Sequence, residues 1–157
     1  MSEKLPKKIT VEARLAALFE HLGLVRAHFG AQNSAELDPI IAAQPERFSS
    51  LALIGLNRLQ ADVVAPVGDR LMLMHGDGGA GVEAMATNQP ALPEAESHCF
   101  NDYTVLTWSD VAADCGDEIV PRWCDFLDRA EARAPASQIN TGTQQGEAAG
   151  ITYRMQG

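Results

Sequence analysis

The sequence predicts an α/β fold, a small parallel sheet of about four strands flanked by helices, on three observations. Two continuous apolar runs, 50–56 and 71–74, have the character of strands covered on both faces. Segments with helical spacing or capping residues lie around them, giving the order helix, strand, helix, strand, strand, helix, strand, helix. At 157 residues and 46% hydrophobic content, the chain is long enough to bury one core of ordinary size.

Taken in order, Thr10 suits the N-cap of a first helix. Val11, Leu15, Leu18, Phe19 and Leu22 recur there at helical spacing, and Gly23 ends it. Residues 24–29 form a short β-type run. Asp38-Pro39 pairs a cap with a proline at the first helical position, opening a brief helix that Gln44-Pro45 stops. After the two apolar strands, residues 82–87 are expected to make a helix of barely two turns. Residues 97–100 and 104–106 read as strand or strand end. Ser109 is placed to cap a last helical stretch through Val111, Ala112, Val120, Trp123, Cys124, Leu127 and Ala130. Gly116 and Pro121 should split or kink it, because proline lacks the donor a helix interior needs.

From Ala134 the composition turns to Pro, Ser, Gln, Thr and Gly, a linker signature, before a strand-like run near Gly150-Ile-Thr-Tyr-Arg154. The expected organisation is an N-terminal tail over 1–9, a domain over 10–133, and a linker with a strand-like tail over 134–157.

The net charge of -9 opposes a nucleic-acid surface, which needs clustered Lys and Arg to displace counterions. The basic cluster Lys4, Lys7 and Lys8 reads as a solvated tail. No apolar run approaches membrane-spanning length and the first residues carry no apolar signal core, so a soluble cytoplasmic protein is the default expectation. Cys99, Cys115 and Cys124 make an odd count without C-x-x-C spacing, so neither a disulfide framework nor a metal site is expected. No cofactor is expected either.

In an open parallel sheet, ligands sit at the carboxyl ends of the strands. Here those ends offer Gln32, Asn33, Ser34, Asn57, His75, Asp77, Asn101 and Asp102. From Thr10 to about Arg129, roughly three quarters of its length, the chain resembles the second half of an α/β-hydrolase of the serine esterase and lipase type. The residues that carry the resemblance are Leu24-Val-Arg-Ala-His-Phe-Gly30, Gln44-Pro-Glu-Arg47 ahead of an apolar strand, Leu71-Met-Leu-Met-His-Gly76, and Cys124-Asp-Phe-Leu-Asp128. The resemblance implies a partial hydrolase-like domain, without the earlier strands that carry the oxyanion loop.

It also implies where a catalytic triad would fall. The family's Gly-x-Ser-x-Gly elbow lands on Gly30-Ala-Gln-Asn-Ser34, which puts Gln32 at the nucleophile position and Ser34 at the second glycine. The acid position falls on Gly79 of His75-Gly-Asp-Gly-Gly79, and the histidine position on Val105 of Tyr103-Thr-Val-Leu-Thr-Trp108. An amide, a glycine and a valine give general-base activation of a serine no route. The resemblance therefore implies a catalytically degenerate protein acting as a binding or interaction module, with Gly30, Gln32, Asn33, Asn57 and Asp102 around its pocket.

Two alternatives stand beside it. One keeps hydrolysis, with Ser34 as nucleophile, His75 or His98 as base and Asp77 or Asp102 as orienting acid. The other is dinucleotide binding through Gly76-Asp-Gly-Gly-Ala-Gly81, a G-x-G-x-x-G match with Asp102 about twenty residues beyond. Against it, Asp77 would set a carboxylate beside the pyrophosphate. A sheet cut from a larger one also leaves the strand at 24–29 unpaired on one side, and an exposed apolar edge invites another chain. A homo-oligomer through that edge, or a partner supplying the missing strands, is expected. The tail at 150–154 resembles the opening strand of the same fold, which reads either as the front of a further domain or as an added strand for this one.

Overall fold

The computed structural model describes residues 8–55, 59–114 and 116–135. Asn57, Cys115 and the expected strand at 150–154 lie outside them. Four strands, β1 (Ala27–Ala31), β2 (Phe48–Ile54), β3 (Leu71–Gly76) and β4 (Glu96–Phe100), pair in sequence order and all in parallel. The helices are α1 (Val11–Leu22), α2 (Asp38–Ala43), α3 (Ala61–Val64), α4 (Ala80–Ala91), α5 (Trp108–Asp114) and α6 (Gly116–Arg133). The expected α/β class, a small parallel sheet flanked by helices, is what the chain adopts.

Sequential order fixes where the helices go. Each parallel crossover is right-handed, so connections that always step the same way all fall on one face of the sheet. Ile40 and Ile41 of α2, Val64 of α3, Val67 just after it and Met85 of α4 accordingly pack with Leu51, Leu53, Leu71 and Leu73. Phe29, Ala31 and Leu15 of α1 lie beside them. The alternate residues of the same strands, Ala52, Ile54, Met72, Met74 and Phe100, face the other way. There the chain after β4 must return, and Val111, Ile119, Phe126 and Ala130 of α5 and α6 cover them. Polar contacts ring this second layer: Arg26 and His28 to Glu131, Arg129 to Glu96, and Arg133 to the Asp69 carbonyl.

Several ends differ from those the sequence predicts. The first helix keeps its expected limits, with the Thr10 hydroxyl accepting from the Ala13 amide and Gly23 left-handed at φ 66°. β1 starts three residues later than expected and ends on Ala31. α4 is twelve residues long, because Gly79 starts it two residues early and Pro90 is absorbed in its last turn. The last helical stretch opens with α5, whose start is capped by Thr107, not Ser109. The Thr107 hydroxyl accepts from the Asp110 amide at 3.3 Å while Asp110 Oδ2 accepts from the Thr107 amide at 2.8 Å, a reciprocal capping box. Pro121 sits inside α6, and the expected split at Gly116 adjoins Cys115, which lies outside the described residues.

Candidate functional site

Residues 104–106, expected as strand, belong instead to an irregular segment that closes the end of the sheet. From the end of β4, residues 101–107 turn back across the carboxyl ends of β3 and β2 toward β1. Asp102 makes the turn at φ 69°. The Tyr103 carbonyl then accepts from the Gly78 amide at 3.1 Å, and its amide donates to Asp77 Oδ1 at 3.3 Å. The Leu106 carbonyl accepts from Gln32 Nε2 at 3.3 Å, and the Trp108 ring ends the run against Gly30 of β1. We call this segment the strap.

The glycines beneath it show how close the contact is. A Cβ on Gly76, at the end of β3, would lie 2.0 Å from the Tyr103 carbonyl oxygen. One on Gly55, just past β2, would lie 2.4 Å from the Leu106 carbonyl oxygen. Both separations are far inside van der Waals contact, so these two positions admit only glycine while the strap is down. The strap is main chain packed on main chain, with no room left between.

This arrangement gathers the three positions that the hydrolase resemblance singles out. Gln32 touches the strap through Leu106, Gly79 faces Thr104, whose carbonyl oxygen would stand 2.9 Å from its Cβ, and Val105 lies between them. Val105 is 68% exposed and points its side chain to solvent. The elements bring the positions together, and the residues at them supply an amide, a hydrogen and an isopropyl group.

The alternative set is arranged differently. Ser34 is buried at 2% exposure, and its carbonyl accepts from the Leu37 and Asp38 amides to begin α2. His75 shares its Nδ1 with the Gly76 carbonyl at 2.9 Å, and Asp77 is exposed and bonded to the strap. His75 and Asp77 thus each commit a side-chain atom to a partner outside the set, while the bonds of Ser34 are those of its main-chain carbonyl. His98 lies on the opposite face of the sheet from His75, where its ring packs edge-on to Phe100 and its Nε2 lies 3.7 Å from Glu118 on α6. Burial, aided by the Arg122 cation, lowers the His98 pKa against the pull of Glu118, which favours the neutral ring. Asn33 accepts from the Ala35 amide at 3.0 Å, a side-chain turn typical of Asn.

The glycine-rich loop 76–81 does lead from a strand into a helix, and that helix is longer than expected. Two of the loop's amides are already engaged, Asp77 with the Phe100 carbonyl and Gly78 with the Tyr103 carbonyl. A phosphate cradle needs such donors free. Among the described residues, no three His, Cys, Asp or Glu side chains gather to hold a metal ion, and no helix is long and apolar enough to cross a membrane.

The feature that sequence reasoning missed lies beside β1. His28, Phe29 and Gly30 line a groove of about 220 Å³ with Trp108, Trp123 and Leu127. The two indoles lie 4.8 Å apart at 32°, and among the described residues neither Nε1 has a hydrogen-bond partner. The spacing Trp108, Trp123, Leu127 spans two helices and gave no single helical stripe to read. Comparison with known proteins adds nothing to this geometry: no family model, curated protein or solved structure matches the chain at a significant level.

Proposed function

We propose that this chain is a catalytically degenerate α/β-hydrolase-like module that works by binding another polypeptide strand. The observation that carries the reading is the strap. The end of the sheet where a parallel α/β fold receives its ligand is filled by the chain's own backbone. Gln32, at the nucleophile position, spends its amide on holding that backbone in place.

The open surface is the outer side of β1. Both outer strands of the sheet are edges among the described residues, and they differ in chemistry. β4 carries Glu96, bound to Arg129, and brings His98 to the Glu118 carboxylate, ionised neighbours that discourage pairing with a stranger. β1 reads Ala-His-Phe-Gly-Ala and lies between two apolar flanks. On one side is the tryptophan groove. On the other is α1, anchored through Phe19 at 6.0 Å from Phe29, with Leu18, Leu22 and Leu24 each more than 40% exposed. An extended strand from a second copy or from a partner would pair with β1 and cover both flanks, the mode of strand addition.

The test is reaction of the folded protein with a fluorophosphonate probe, with an intact serine hydrolase as control. The expected result is no labelling. Labelling that maps to Ser34 and disappears in Ser34→Ala would return the protein to the active hydrolases.

A further inference from the structure

We infer that the first occupant of the β1 edge is a segment of this same chain, residues 149–155, lying outside the described body. The inference rests on the reading of β1 as a docking edge and names what docks there. Its starting point is where the body ends. Arg26, the residue before β1, holds both the carbonyl of Pro135 and the carboxylate of Glu131 on α6. The chain that continues from Pro135 is therefore released at the foot of β1, not at β4 or at the strap.

Length and pattern agree with that placement. The fourteen residues 136–149 can span up to about 45 Å when extended, well beyond the roughly 17 Å of a five-residue strand. They are rich in Ser, Thr, Gln and Gly, so no competing core is written into them. After them stands Gly150-Ile-Thr-Tyr-Arg154, five residues against the five of β1, rich in β-branched and aromatic side chains. Tethering raises the effective concentration of such a strand to the millimolar range, so a modest pairing free energy suffices. A partner must then displace it, which makes the tail a competitor built into the docking surface.

Hydrogen exchange at the amides of residues 27–31 that point away from β2 decides the matter, measured on the full chain at two protein concentrations and repeated on Thr152→Pro. Proline in the tail removes a donor from an added strand without touching the described body. The expected result is slow exchange at both concentrations in the parent, becoming about tenfold faster or more in Thr152→Pro. Protection that rises with protein concentration and ignores Thr152→Pro would overturn the inference and assign the edge to a second copy, leaving the docking reading intact. Fast exchange in the parent at both concentrations overturns it as well. A synthetic peptide of residues 149–155 at millimolar concentration then separates the two claims. Protection of 27–31 by the peptide keeps the edge as a docking surface, and no protection removes both.

Discussion

Two borders of one sheet have opposite fates in this molecule. The carboxyl ends of the strands, where parallel folds do their chemistry, lie under the strap with glycines pressed against carbonyls. The outer side of β1 has no neighbouring strand among the described residues and lies between an aromatic groove and a helix with exposed leucines. Site positions and closure are thus inverted relative to what the resemblance to hydrolases implies. The lesson is that main-chain contact by itself can close the carboxyl end of a parallel sheet. An outer strand without a neighbour among the described residues is a second, different surface.

Substitutions that pry at either border sharpen that contrast. The largest effect is expected from Gly76→Val, whose branched side chain has no space under Tyr103. Overpacking of this kind costs about 3 kcal/mol or more, read as a lower urea midpoint. A Gly116→Ala control, where nothing lies within 4 Å of the added carbon, should keep the midpoint or raise it, by up to about 1 kcal/mol in stability, as Ala is favoured over Gly in a helix. Equal stability of the two variants would mean that the strap is not seated.

Trp108→Ala acts on both borders at once, since the ring closes the strap on Gly30 and walls the groove with Trp123. A half-buried indole lost from such a stack should cost about 2–3 kcal/mol in stability and weaken docking at β1. Gln32→Ala removes one amide–carbonyl bond to Leu106 and should cost about 1 kcal/mol. A loss well above that would give Gln32 a role beyond holding the strap.

Acid offers a gentler probe of the covered face. His98 has its pKa lowered by burial, so the unfolded chain takes up a proton near pH 6.5 that the folded ring resists. Stability should therefore fall as pH drops below about 6.5 and toward the lower folded value, and His98→Gln should flatten that slope. A slope unchanged in His98→Gln would place the acid sensitivity elsewhere. The smallest effect on stability, within about 0.5 kcal/mol, is expected for Leu22→Ser, which sits 55% exposed on α1. Its signature is confined to the open border, as weaker strand capture at β1.

Much of the frame is legible in the sequence because it is written locally. Thr10 and Gly23 bound α1, and the apolar runs over β2 and β3 stand out since a strand covered on both faces has no polar alternation. The class follows from the alternation of those elements. The strap is not legible, for a physical reason. Thr104, Val105 and Leu106 have good strand propensity, and what prevents them from pairing is tertiary: the Leu106 carbonyl is claimed by Gln32, and the Tyr103 carbonyl just before them by the Gly78 amide, both more than twenty residues away. α4 outruns its expected end at residue 87 for a local reason: its last turn accommodates Pro90, beside the Leu92 amide bonded to Asn88. At the candidate site, the resemblance to hydrolases points to Gln32, Gly79 and Val105 without revealing that one loop touches or contains all three.

Residue-level hydrogen exchange at the carboxyl border tests the central claim most directly. The Gly78 amide donates to the Tyr103 carbonyl only while the strap is down. That amide should exchange as slowly as those in the body of β3, opening only with the whole fold. Rapid exchange at Gly78, with β3 still protected, would show a strap that lifts on its own and a sheet end that is open after all.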